Sequence, residues 1–351
     1  MKPLLLLSCC ILILANNGQS QGCVAIRQVG GMSPDLLFQN VKPGDKTIVN
    51  ITNRYFEASK SYKRDKFFSD TLVVNRIYTM NISVLRLLEK NWSVGLNIPI
   101  AANSRTNGAD HNGPTSFPKF TTRAFGLGDV RLAVYKWLLD PVTNKKGNIQ
   151  AGLGIKLPTG DYKYMDYFHR RTPTGGDSTV LAPVDQAIQL GDGGTGITVE
   201  LSAFYSINYK INFYEQFFYL INPRDQNGVS NLKGRTPTSL MIANHTTVMS
   251  VPDQFSFRAG TNIQLNKTVF NAGLRYEKVP ENDLIGDNNG FRRAASITSA
   301  ETGITYKMKN TFGFFNVGIP FKKKIILNTQ NDLTPAGFAD IIYSFGLQFK
   351  L

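Results

Sequence analysis

Ile341-Ile342-Tyr343-Ser344-Phe345-Gly346-Leu347-Gln348-Phe349-Lys350-Leu351 alternates one for one. Ile, Tyr, Phe, Leu, Phe and Leu take the odd positions, and from Ser344 onward Ser, Gly, Gln and Lys take the even ones. Successive strand side chains point to opposite faces, so this is a β-strand with one greasy and one wet face. The same period recurs upstream. It is regular over 92–100, 149–157, 197–205 and 255–265, and looser over 47–59, 71–88, 124–138, 209–221, 268–278, 294–308 and 310–321. With 338–351 the total is twelve strands. Residues 238–250 are apolar in patches, but Asn244 and Thr246 share a face with Leu240, Ile242 and Val248.

Connection lengths decide the status of 238–250. Long links (60–70, 101–123, 158–194) alternate with short ones (89–91, 139–148, near Asn208), the pattern of an up-and-down barrel with an even strand number. A thirteenth strand would place the short links 251–254 and 266–267 in succession. Residues 222–253 therefore read as one long external loop. The expected fold is all-β: an antiparallel up-and-down transmembrane barrel of about twelve strands with long external loops.

Residues 1–20 have the layout of a signal peptide: Lys2, an apolar run from Leu4 to Ala15, then small and polar residues. Residues 21–46 form a periplasmic extension or a plug, and 47–351 the barrel. Cys9 and Cys10 would leave with the signal. Cys23 alone cannot form an internal disulfide, and the Ser20-Gln21-Gly22 before it is a poor lipidation context. No later stretch is long and apolar enough for a membrane-spanning helix. The net charge of +14 implies a positive potential at the lumen or the loops, while the spread of Lys and Arg argues against a nucleic-acid surface.

Parity assigns sides within the strands. Asp129, Arg131, Gln150, Lys156, Glu200, Lys210, Asn212, Arg258, Gln264, Arg275, Glu277, Glu301 and Lys307 face the lumen. Asp129, Arg131, Lys156, Glu200, Lys210, Arg258, Arg275 and Glu301 are the candidate site residues. Both signs of charge occur, so ion-paired networks are expected: structural glue, or the lining of a solute path. Glu215 falls on the lipid face unless a β-bulge shifts the register. Arg86 and Lys136 also fall there, near strand ends where long side chains reach the interface. Trp92, Trp137, Tyr55, Tyr78 and Tyr343 sit where an aromatic girdle would.

Signals for chemistry are weak. His111, His169 and His245 have no metal-ligand spacing, and no nucleophile elbow occurs. Gly191-Asp192-Gly193-Gly194-Thr195-Gly196 looks like a phosphate cradle but lacks the Lys-Ser/Thr that follows one and leads into a strand. It reads as the end of an external loop. No cofactor, metal or enzymatic activity is expected.

Phe125-Gly126-Leu127-Gly128-Asp129-Val130, followed by Gly152-Leu153-Gly154-Ile155-Lys156-Leu157-Pro158-Thr159-Gly160-Asp161, resembles the phenol-degradation meta-pathway transporter-like outer-membrane barrels. That family is distantly similar to the fatty-acid channel barrels. The resemblance covers about 100–351 and implies an outer-membrane barrel that passes small, often hydrophobic compounds. Inward Gly126, Gly128, Gly152 and Gly154 would bare the backbone for close approach of a plug or ligand. Expected partners are outer-membrane lipids and small hydrophobic or anionic solutes. The competing readings are a closed structural or surface-binding barrel, for which the basic segment 163–171 speaks, and a soluble secreted β-sandwich.

Overall fold

A computed structural model describes residues 46–63, 66–89, 91–107, 111, 119–140, 143–172, 174–326 and 336–351. The expected signal, the 21–45 extension and Cys23 lie outside these residues.

In chain order the strands are β1 (Thr47–Lys63), β2 (Lys66–Leu87), β3 (Trp92–Asn107), β4 (Phe120–Leu127), β5 (Arg131–Trp137), β6 (Gly147–Lys156), β7 (Met165–Arg171), β8 (Asp177–Pro183) and β9 (Gly196–Ser206). Then follow β10 (Ile211–Ile221), β11 (Gln226–Ser230), the short helix α1 (Ser239–Ala243), β12 (Val248–Ser250), β13 (Gln254–Leu265), β14 (Thr268–Val279), β15 (Ala295–Lys307), β16 (Thr311–Ile325), β17 (Ala336–Gly337) and β18 (Ile342–Lys350). One sheet holds fourteen of them. The two-residue β17 only extends the pairing of β1, and β4 and β5 are two halves of one wall strand, so the wall has 12 staves. The opening stretch closes the ring: β18 runs antiparallel to β1 from Ile48↔Lys350 to Phe56↔Ile342. Closure pairs the staves around the ring and leaves only the β4 half-stave bonded on one side, since lipid offers a free edge no partners.

Residues 238–250 stay out of the wall. They form α1 and β12, and β12 pairs with β11 inside the loop between β10 and β13. The structure corrects four expectations. The link expected at 60–70 is a hairpin, because β1 and β2 run on past the ring to Lys63 and Lys66. The strand expected at 124–138 is broken at 128–130, where Gly128-Asp129-Val130 leaves the ladder. The strand expected to begin at 209 begins at Ile211, which puts Lys210 in the turn, exposed, with its ammonium 5.4 Å from the Tyr209 ring. Trp137, expected in the outer girdle, points inward and is buried against Phe204, since it shares parity with Arg131.

The outer surface is apolar: Leu132, Val134, Leu153, Ile155, Phe270 and Phe345 are among many exposed large side chains. Lys136 stays outside with its ammonium 4.5 Å from the Trp92 ring. No bulge relocates Glu215. β10 pairs without interruption from Ile211↔Ile263 to Leu220↔Gln254, and the exposed Glu215 stands between Ala203 and Ala259.

Candidate functional site: the lumen and its inward-folded loop

The lumen is layered along its axis. At the end with short turns lies an apolar floor: Ile48, Trp137 and Phe204 on one side, Val269, Phe312 and Phe314 on the other. Above it the inward positions carry carboxamides and hydroxyls. Asn262 Nδ2 donates to Asn212 Oδ1 at 3.0 Å, Asn271 Nδ2 to Asn316 Oδ1 at 2.8 Å, and Asn97 Nδ2 to Ser83 Oγ at 2.7 Å. Several buried polar atoms here find no partner among the described groups: the Oδ1 atoms of Asn81, Asn97 and Asn271, Gln150 Nε2 and both ends of Gln348. Buried polar atoms are costly unless satisfied, so water is the natural partner of this layer.

Next comes a charged belt. Arg54 reaches from β1 across to Glu277 on β14 at 3.2 Å. Arg275 contacts Glu277 at 3.8 Å and Glu301 at 2.6 Å, and Arg258 also pairs with Glu301. On the facing wall Arg131 pairs with Glu200, which accepts the Tyr135 hydroxyl at 3.2 Å. These groups are nearly all buried, so each charge is held by an opposite one rather than by bulk solvent.

Above the belt, chain from outside the ring fills the mouth. Between β6 and β9 the connection first forms the hairpin β7–β8, a separate sheet. It then turns inward: Val184, Ile188 and Leu190 are buried against Phe56, Ile77, Phe218 and Leu220 of the wall. Its polar groups are tied as well. Asn103 Nδ2 donates to the Ile188 carbonyl at 3.1 Å, and Gln186 Nε2 to the Ser250 and Phe291 carbonyls at 3.0 and 3.2 Å. Asp185 is the ionic centre. Its carboxylate takes Arg293 as a two-pronged donor, Lys233 at 2.8 Å and Arg105 at 3.7 Å. Burial alone would raise the Asp185 carboxyl, but these three cations reverse that and hold it well below the usual carboxylate range.

The break between β4 and β5 is the second tie. β4 pairs with β3 alone. Along its other side Asp129 accepts the Gly160 N–H at 3.0 Å and the Asp192 N–H at 3.1 Å, and Lys156 pairs with both Asp129 and Asp192. Thr159 Oγ1 donates to the Gly128 carbonyl at 2.9 Å and accepts the Val130 N–H at 2.8 Å. The glycine-rich run thus does hold a carboxylate, the protein's own Asp129. A Cβ on Gly191 would stand 2.4 Å from Asp129 Oδ1 and 2.8 Å from the Gly160 carbonyl, so the approach requires glycine. Gly126 and Gly128 admit Leu190 and Pro99 in the same way, while Gly152 is covered by the Tyr135 ring.

A cavity of about 150 Å³ lies under the inward loop. Phe56, Ile77, Leu190, Met249 and Val279 give it apolar lining, and Asp129, Asp192, Lys156 and Arg293 give it charges of both signs.

Of the candidate residues, Asp129, Arg131, Lys156, Glu200, Arg258, Arg275 and Glu301 lie on the inner wall in three ion-paired groups, and Lys210 lies apart in its turn. Sequence reasoning missed Asp185, Arg105, Lys233 and Arg293, which come from four separate elements and share no period. It also missed that His111 and His169 pack together, ring centroids 5.8 Å apart, where the His169 N–H donates to His111 Nδ1. Among the described residues no group of His, Cys, Asp and Glu is placed to hold a metal.

No sequence family and no curated protein matches the chain. Solved structures do. An outer-membrane channel from Pseudomonas putida F1 superposes with a TM-score of 0.60 at 12% identity, over 89% of this chain and 100% of that one. The CymD monoaromatic hydrocarbon channel (TM-score 0.47, 11% identity, 96% and 99% covered) and a Pseudomonas aeruginosa FadL homologue (0.41, 10%, 95% and 100%) are looser likenesses on which nothing below rests. At such identities the likeness concerns the fold: a closed barrel of the outer-membrane type.

Proposed function

We propose that this protein is an outer-membrane channel for small, largely apolar solutes, stopped from outside by residues 184–192. The short-turn end faces the periplasm and the long loops face the exterior. The observation that carries the reading is the layer of unsatisfied carboxamides beneath the inward loop. A barrel built only as a solid strut would satisfy such groups with each other; here the middle of the lumen calls for water. Twelve staves also enclose more space than side chains alone fill, since about eight is the number that side chains can close. The remainder is taken by a loop, which is a removable stopper. The cavity's apolar lining favours small solutes with little polar surface.

The test is liposome swelling with the wild-type barrel and with a variant in which 184–190 is replaced by Gly and Ser. The variant is expected to admit small solutes several-fold faster than the wild type. A folded, heat-modifiable variant with no flux for any small solute would discard the channel in favour of a closed barrel.

A further inference from the structure

The stopper is held by a carboxylate in a site that another carboxylate could take. Arg293 is the link: the residue lines the cavity, and its guanidinium donates both prongs to Asp185. Beside it, Arg105 donates to Asn75 Oδ1 at 3.0 Å, and Asn75 lines the same cavity. Phe56, Ile77, Met249 and Val279 line the same cavity with apolar side chains, and Asp129, Lys156 and Asp192 line it as well. We propose that a small monocarboxylate with an apolar body, of the size of benzoate, binds this cavity, takes the Arg293 fork from Asp185, and so weakens the tie that holds the stopper shut. This rests on the channel reading and adds to it the class of effector.

Three points support the proposal. The exchange is carboxylate for carboxylate at Arg293, so that guanidinium keeps a counter-charge, while Lys233 and Arg105 stay on Asp185. Asp185 is tethered and has the advantage of high local concentration, which acetate could not overcome. A ring packed against these apolar side chains supplies the difference: a cavity of about 150 Å³ holds about one benzene ring. A neutral ring lacks the charge needed to displace Asp185. Both halves of the ligand are therefore required.

The experiment is single-channel recording of the full-length barrel in planar bilayers with benzoate, acetate or benzyl alcohol at equal concentration. Benzoate should raise the open fraction about tenfold, the scale of one hydrogen bond to a charged group, while acetate and benzyl alcohol leave it unchanged. Asp185→Asn should be open without benzoate, and Arg293→Gln should lose the response to it. Calorimetric titration of wild-type protein with benzoate gives a second reading that needs no variant to fold. If benzoate neither binds nor opens the wild type while Asp185→Asn or the loop-replaced variant conducts, the inference fails and the channel stands. An equal response to benzyl alcohol also overturns it. If no variant conducts, the channel reading itself has failed.

Discussion

Glu215 and Glu301 show how strongly the side of the wall decides what a carboxylate does. Glu215 stands outside between Ala203 and Ala259 in the apolar band, exposed. A charge there costs free energy that depends on depth. Glu215→Leu is expected to stabilise the folded barrel by about 1 kcal/mol, measured by denaturant titration in lipid vesicles. An unchanged or lowered stability would mean that the carboxylate meets a partner in the membrane. Glu301 stands inside against Arg258 and Arg275. Glu301→Gln leaves two guanidinium groups short of their counter-charge and is expected to cost about 3–5 kcal/mol in the same titration. Parity separated these two residues from the primary structure alone. It misplaced Lys210 because strand ends are set by the turn: Asn208 Oδ1 accepts the N–H groups of Lys210 and Ile211, and although the Lys210 carbonyl still accepts the Gln264 N–H at 2.7 Å, its side chain is exposed.

Elements differ in how firmly they belong to the barrel. The hairpin β7–β8 is a separate sheet whose removal leaves every stave paired. Replacing 166–182 by a short linker should leave heat-modifiable migration and basal conductance as in the wild type; loss of the folded band would show that the hairpin is part of the scaffold. The stopper is more dependent on charge. Asp185 has its carboxyl depressed in the closed state, so its contribution is complete above the ordinary aspartate value of 3.8 and is lost as pH falls through the lower closed-state value. Burial shifts Asp283 the other way, upward, against the opposing pull of Arg292. Its contribution is present below 3.8 and is lost as pH rises through the raised value, so mild acid does not loosen that tie. Conductance is therefore expected to stay low from neutral pH to about 4 and to rise only below it. Opening at pH 6 would contradict this assignment. The twelve staves were legible because each repeats a period of two. The stopper was not: Val184, Ile188 and Leu190 follow no such period, and their burial depends on partners from distant strands. The break at Gly128-Asp129-Val130 left a trace that a single strand over 124–138 overlooks: the apolar face moves from odd positions, Phe125 and Leu127, to even ones, Val130, Leu132 and Val134.

At the scale of the whole molecule, the ring depends on its last strand. β18 bonds to β1 on one side and β16 on the other. Deleting 342–351 would expose both edges, and edges in lipid are not tolerated. No heat-modifiable band is expected from that truncation, and a band would mean that β1 and β16 can pair directly. The layering from apolar floor through carboxamides and charge to an apolar mouth joins residues from every stave, so no single repeat discloses it. Connection lengths, by contrast, disclosed the order of the staves, because short and long links can only alternate when neighbours pair.

One stave is unlike the rest. β4 is bonded on a single side, while β5, its continuation past Asp129, is bonded on both. On the free side of Phe120–Leu127 the Arg123 N–H is accepted by Asp166 Oδ2 of β7 at 2.7 Å and no ladder forms, so these amides should exchange with solvent faster than those of β5. The barrel is thus not equally tight around its circumference: its local unfolding begins at one meridian, and hydrogen-exchange mass spectrometry would show that meridian as a stripe of early deuteration running from Phe120 down to Asp129.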